Sequence, residues 1–442
     1  LKDGIHHLLE LAERHSCECE VYGESVRQFS VEVHRGTVES MERSHDAGVG
    51  IRLVRDGRIG FAYTSDTGHR GLGEAFEEAR ANAVCSSPVD VDCLADDQEW
   101  IDHGNLYPTV PPAGGDHDKV ELVRAMEAAC FGFDAAVTNT EGAVYHEVCG
   151  DVFIASTRGF HRCEKRGFCS CVVSAVARRG DEVRTGSYYG QALHPAEIDF
   201  AAVGERAAER AVKLLGSKRI ATGRYPVVID GTAFVDIVDL LAEALSAEMA
   251  VKGMSILAGK QGTRVAREAV SIIDDPFRRG CCFNAGFDAE GVPKKRCTLI
   301  ESGILGGYLH NAYSSRRMGV KSSGNAVRQT YKNRPVPGPA NLHIAPGERT
   351  GDEMIADMDE GVYVQDIMGI HTADTISGDF SVGINGFHIK GGRVEEPVSE
   401  VTMSGNILTL LCGIREVGSD LVFVGPLGSP TVSVEDISVS GT

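Results

Sequence analysis

Between Cys19 and Tyr63 polar and apolar residues alternate through short runs, at 19–22, 28–33, 37–41, 49–54 and 58–63, and the pairs Arg35-Gly36 and Asp56-Gly57 separate the segments. A period of two sends every second side chain to the same side, the pattern of strands buried on one face. Glycine accepts the positive φ that a tight hairpin demands, so the two pairs read as turns. The opening of the chain is therefore expected to fold as a meander of antiparallel strands buried on one side.

The 442 residues exceed one ordinary core and suggest two domains of roughly 200 residues each. A helix through Leu8 to Arg14 precedes the strands, and a second, from about Gly71 to Val84, follows them. A long connection with the single tryptophan, Trp100, and a Pro-Pro-Ala-Gly-Gly stretch at Pro111 to Gly115 leads to a helix near Asp118. Strands at 136–140, 144–148, 152–156, 168–177 and 184–189 and a helix from about Pro195 to Leu215 complete the first half. The boundary is expected near Thr222-Gly223, giving domains 1–222 and 223–442. Strand-like segments then dominate, at 225–229, 297–300, 304–309, 341–345, 361–365, 380–390, 421–424 and 431–439. Neither a regular βαβ alternation nor a repeat of 20 to 50 residues appears, so the expected class is α+β: antiparallel strands with packed helices first, a strand-rich domain second.

Composition narrows the function. A formal charge of −19 opposes phosphate backbones, whose non-specific affinity comes from lysine and arginine displacing counterions, and no nucleic-acid ligand is expected. The thirteen cysteines are an odd, scattered set that fits free thiols in a reducing compartment better than a disulfide framework. No apolar run reaches the roughly 18 residues of a membrane span, and the opening Leu-Lys-Asp-Gly-Ile-His-His lacks the core of a secretion signal. The expected location is the cytoplasm, without membrane attachment.

Several constellations carry possible chemistry. Residues 236–250 read as one helix with Ile237, Val238, Leu240, Leu241, Ala244, Leu245 and Met249 on an apolar face and Asp236, Asp239, Glu243 and Ser246 opposite. Asp239 and Glu243 stand one turn apart, a spacing commoner for a solvated acidic face than for an acid/base pair. His371, Asp379 and Ser381 supply the residue types of a hydrolase triad, but triads are defined by geometry and not by type. Cys169 and Cys171, with His161 and Cys163 nearby, share a strand face on which thiolates can converge, although flanking Phe168 and Val172-Val173 favour packing. The glycine-containing Ser322-Ser323-Gly324-Asn325 lacks the lysine-serine or lysine-threonine ending of a phosphate loop.

One stretch is more specific. Met368-Gly369-Ile370-His371-Thr372-Ala373-Asp374-Thr375-Ile376-Ser377-Gly378-Asp379-Phe380-Ser381, continuing through Val382-Gly383-Ile384-Asn385-Gly386-Phe387, resembles the C-terminal signature of the TldD/PmbA (TldD/TldE) family. Ile389–Val394, Pro397–Thr402, Ser404–Ile407, Ser322–Ala326, Val251–Ser255 and Asp56–Ala62 also resemble family segments, so the likeness spans nearly the whole chain. The resemblance implies a two-fold assembly enclosing a proteolytic chamber for unfolded or short peptides, because a folded domain cannot enter intact. In TldD-type subunits it further implies a His-Glu-x-x-x-His helix and a later cysteine holding zinc, with the glutamate as general base. Aligned on Lys252-Gly253, the histidine positions fall on Val238 and Glu243 and the glutamate position on Asp239. Cys412 precedes the Val417–Leu421 segment, whereas the family's ligand follows it.

Valine offers no lone pair to a metal. The resemblance is therefore to the PmbA/TldE-like branch: a subunit with no catalytic residue and no metal of its own, joined to a TldD-type partner that supplies zinc. His371, Asp379, Ser381 and Asn325 are candidate chamber-lining residues under that resemblance. The alternative is a stand-alone homodimeric peptide-binding or regulatory protein. The family's label as modulator of DNA gyrase finds no support for direct DNA contact in this charge balance.

Overall fold

The computed structural model describes residues 2–100 and 115–441, so the expectation for Pro111 to Gly114 lies outside the described residues. In chain order the first half comprises α1 (Lys2–Arg14), β1 (Glu18–His34), β2 (Thr37–Arg55), β3 (Arg58–Thr64), α2 (His69–Cys85), α3 (Asp116–Phe133), β4 (Val137–Ser156), β5 (His161–Arg179), β6 (Glu182–Ala192) and α4 (Phe200–Lys213). There follow β7 (Gly223–Ile229), α5 (Gly231–Ala244), α6 (Ala247–Val251), β8 (Ile272–Asp274), β9 (Cys297–Glu301), β10 (Ile304–Leu305), α7 (Ala312–Arg317), β11 (Ala326–Val327), β12 (Val336–Pro337), β13 (Leu342–Ile344) and α8 (Gly351–Ala356). The chain closes with β14 (Glu360–Met368), β15 (Asp379–Lys390), β16 (Arg393–Asn406), α9 (Ile407–Cys412), β17 (Ile414–Val417), β18 (Val422–Val424), β19 (Leu427–Ser429) and β20 (Val432–Ser440). The class is α+β, as expected.

The first sheet is wholly antiparallel, in the order β3-β2-β1-β4-β5-β6. Its two opening hairpins turn at Arg35-Gly36 and Asp56-Gly57, all four residues with φ between 49° and 72°, the two-residue turn whose twist matches that of its strands. The runs expected as separate strands are continuous: β1 and β2 stay in one register from Glu18↔Val54 to Glu32↔Ser40. Ladder bonds are made by the backbone, so polar interludes such as Ser44-His45-Asp46 remain paired.

One face of this sheet carries Cys19, Val21, Phe29, Val31 and Val33; Leu8, Leu9, Leu72 and Phe76 of α1 and α2 cover one end, and Val123, Met126, Val203 and Ala207 of α3 and α4 the other. At Gly60, within the Asp56–Ala62 segment, an added Cβ would lie 1.8 Å from the Ala79 carbonyl oxygen, so β3 and α2 meet backbone to backbone. The expectation of a sheet buried on one side needs correction. Phe287, Ala289, Ala326 and Tyr331 from the second half close over Tyr22, Val152 and Ile154 on the opposite face. Both faces are dry there.

The second half contains two further six-stranded sheets, β10-β9-β8-β13-β19-β18 and β16-β15-β14-β7-β20-β17. Helix α5 packs on β13, β18 and β19 of one and on β14 of the other, and ten of its fourteen residues are buried, as a helix apolar on most sides must be. Gly386 lets β15 press against β14: a Cβ there would sit 1.9 Å from the Tyr363 carbonyl oxygen. The single helix expected over 236–250 is two helices. Leu309 N–H donates to the Leu245 carbonyl and Ala247 N–H to the Leu309 carbonyl, so a neighbouring segment takes backbone groups that a continuous helix would use itself. Ser246, expected on the polar side, is consequently buried.

Candidate functional site

The acidic edge of α5 borders a cleft of about 420 Å³ between the two halves of the chain, within the size range of small-ligand and peptide sites. Its walls include Tyr188, Tyr189 and Gln191 of β6, Arg210 of α4, Asp236 of α5, Gln365 and Asp366 of β14, and Phe423 of β18. Of the wall strands, β14 lies inside its sheet, whereas β6 and β18 are terminal in theirs. Gln191 ties them together: its Nε2 donates to the Gly425 carbonyl at 3.1 Å, and Gly425 N–H donates back to its Oε1 at 2.9 Å.

Arg210 crosses from α4 to fix the far wall. Its guanidinium donates to the Gln365 carbonyl at 2.6 Å and to Asp366 Oδ1 at 2.9 Å, and lies 3.8 Å from Asp230 Oδ1. Asp230 caps α5 by accepting from Thr232 N–H, and Tyr363 donates its hydroxyl to the other carboxylate oxygen at 2.7 Å. Burial and the carboxylate beside it push the Tyr363 hydroxyl well above its ordinary pKa. These contacts hold the α5 N-terminus against β14.

Asp236 is the proton-sensitive member. Burial, then the negative charges of Asp239 and Asp366, push its carboxyl up to about 6. A carboxyl whose folded value is raised above the ordinary 3.8 favours folding below the unfolded pKa, and that contribution is lost as pH rises through 6. Asp236→Asn is therefore expected to stabilise the chain by roughly 1 kcal/mol at pH 8, after allowance for the solvent screening of a partly open group. Urea unfolding of both proteins from pH 4 to pH 8 measures this; a gap that fails to widen with pH contradicts the assignment.

The three positions aligned with the zinc motif diverge. Val238 is 0% exposed in the core, while Asp239 and Glu243 are exposed. The residues at these positions do not fit zinc, and among the described residues no group of three or more His, Cys, Asp or Glu is placed to hold a metal. Cys412 is exposed at the end of α9. Cys169 and Cys171 are buried, and burial pushes both thiols up to about 12, away from the thiolate that metals bind; Cys163 and His161 are exposed.

His371, Asp379 and Ser381 are all exposed. Asp379 is engaged locally, accepting from Ser377 Oγ at 3.1 Å and from Asn406 Nδ2 at 2.9 Å, with no hydrogen bond to His371 or Ser381. Asn325 is buried, donating to Asp274 Oδ2 at 2.6 Å. Gly324 in the same loop packs tightly, since a Cβ would sit 2.5 Å from the Pro293 carbonyl oxygen. The sequence placed Asp236 on the polar edge of its helix without a role, and gave no sign of Arg210, Gln365, Asp366 or Tyr188. No spacing signals that residues some 150 positions apart share a wall.

These features define an α+β chain with a cleft walled by β6, α4, α5, β14 and β18. Residues 19–83, 115–215 and 222–441 match, in turn, the models of the PmbA/TldA metallopeptidase domain 1, central domain and C-terminal domain. The chain belongs to the PmbA/TldD family. It is 30% identical to a metalloprotease of Methanothermobacter thermautotrophicus, with 94% of each chain covered. To the metalloprotease PmbA of Escherichia coli O157:H7 it is 26% identical, over 100% of this chain and 96% of the relative. The crystal structure of a Thermotoga maritima protein described as a putative modulator of a DNA gyrase superimposes with a TM-score of 0.92 at 29% identity, covering 99% of this chain and all of the other.

Proposed function

We propose that this chain is the PmbA/TldE-like, non-zinc subunit of a TldD/TldE-type metalloprotease that degrades or matures unfolded peptides, with zinc supplied by a TldD-type partner. The observation that carries this reading is Val238, a fully buried hydrocarbon side chain at the family's first ligand position, where a metal needs a donor lone pair. The chain's own part is to hold peptide. Terminal strand β6 borders the cleft from Ser187 to Gln191, and alternate residues of a terminal strand turn their N–H and C=O groups outward. An extended peptide pairs with such an edge through its backbone, which suits many sequences and excludes folded ones.

The test is metal content and peptide cleavage for the purified chain alone, for a TldD-type partner alone and for the mixture. The chain alone is expected to bind no stoichiometric zinc and to leave unstructured peptides intact, while the mixture forms a joint species on gel filtration and cleaves them. Zinc-dependent cleavage by the chain alone sinks the reading. Failure to form a joint species favours the homodimeric peptide-binding alternative.

A further inference from the structure

Resting on the peptide-holding reading above, we propose that the cleft contains an ammonium subsite that selects peptides presenting a primary amine, either a lysine side chain or a free amino terminus, beside Asp236 and Gln365. Among the described residues Arg210 is the only cation lining the cleft, and its charge is already engaged by Asp366 and Asp230. Asp236 lines the same space, and its carboxylate has neither a hydrogen bond nor an ion pair among the described residues.

Gln365 supplies the second, independent feature. The residue is 5% exposed, and its Nε2 donates to Asp366 Oδ2 at 2.9 Å. A carboxylate only accepts, so this contact fixes which end of the amide faces Asp366. The Oε1 end accepts from no group among the described residues, and it is absent from the sealed, unsatisfied oxygens of the interior. It is an open acceptor on a residue that lines both this cleft and the adjoining one beside Asp230 and Tyr363.

A carboxylate and an amide oxygen without donors call for a ligand rich in N–H and free of acceptors. The ammonium group has three donors and no acceptor. Val172, Val422, Val424 and the Phe423 ring offer apolar wall for the methylene stem behind such a head. A divalent ion is a poorer match, since no set of three metal-ligating side chains forms among the described residues.

Fluorescence anisotropy with the full chain and three C-terminally labelled unstructured peptides of otherwise identical sequence tests the proposal. One carries lysine and an acetylated amino terminus, one norleucine and a free amino terminus, and one norleucine and an acetylated terminus. At least one amine peptide is expected to bind about tenfold more tightly than the neutral peptide, and the two arms show which amine is read. In Asp236→Asn the ratio should collapse towards one, and Gln365→Leu should reduce it. Equal binding of the three peptides, or a ratio that survives Asp236→Asn, overturns the subsite while leaving the peptide-holding reading intact. No binding by any of the three overturns both.

Discussion

Replacing Arg328 with methionine is expected to lower the unfolding free energy by about 3–5 kcal/mol, the cost of leaving a buried charge without its partner. Arg328, on the segment from the second half that covers the first sheet, is 0% exposed at its side chain and pairs with Glu20, itself 1% exposed. Glu20 also binds Arg52 at 2.6 Å, and Arg52 reaches Glu290 at 2.8 Å. The Arg328 guanidinium stands 4.8 Å from the centroid of the Tyr22 ring, and its Nε donates to the Ala289 carbonyl. Four charges of alternating sign are thus enclosed where the two halves of the chain meet.

Methionine fills much of the volume but leaves Glu20 with one cation for two neighbouring carboxylates. Burial already pushes Glu290 up to about 7 against the pull of Arg52, so this site has little tolerance for a further negative charge. Denaturant unfolding at pH 7 measures the loss, and adding Glu20→Gln to Arg328→Met should recover part of it. A loss below about 1 kcal/mol, the usual value of a surface pair, would show that water reaches the network.

Rebuilding the family's zinc motif by Val238→His, Asp239→Glu and Glu243→His together is expected to yield no stoichiometric zinc and to cost about 2–4 kcal/mol of stability, chiefly from burying an imidazole in a packed apolar core. Val238 lies in the core shared by α5 and its two sheets, whereas Glu243 is exposed. Positions five apart on an ideal α-helix are separated by about 140°, and the first of these is sealed among hydrocarbon. Metal analysis after dialysis, alongside urea unfolding, checks both halves of the expectation. Full zinc occupancy with unchanged stability would mean that α5 turns or unwinds to suit the ion.

The legibility of the chain differs between its levels. Arg35-Gly36 and Asp56-Gly57 disclosed both opening hairpins, because positive φ at paired positions is a local demand that the residues themselves reveal. Ser246 misled, since the helix stops there only because Leu309 arrives alongside. Glu20 and Arg52 show the same limit. On an alternating strand they read as solvent-facing, and they are buried because Tyr331 and its neighbours fold over that face.

The sequence by itself determined the α+β class, the antiparallel pairing of the first strands, the family, and the valine that the resemblance aligns with a zinc-ligand position. The first two follow from backbone preference and side-chain periodicity, which act over a few neighbouring positions, and the last two from motifs written in consecutive residues. Only the tertiary structure decided that Asp236, Gln365, Asp366 and Arg210 border one cleft, and that Glu20, Arg52, Glu290 and Arg328 share one buried network. Such groups meet through packing between distant segments, and the free energy of a charge depends on what finally excludes water from it.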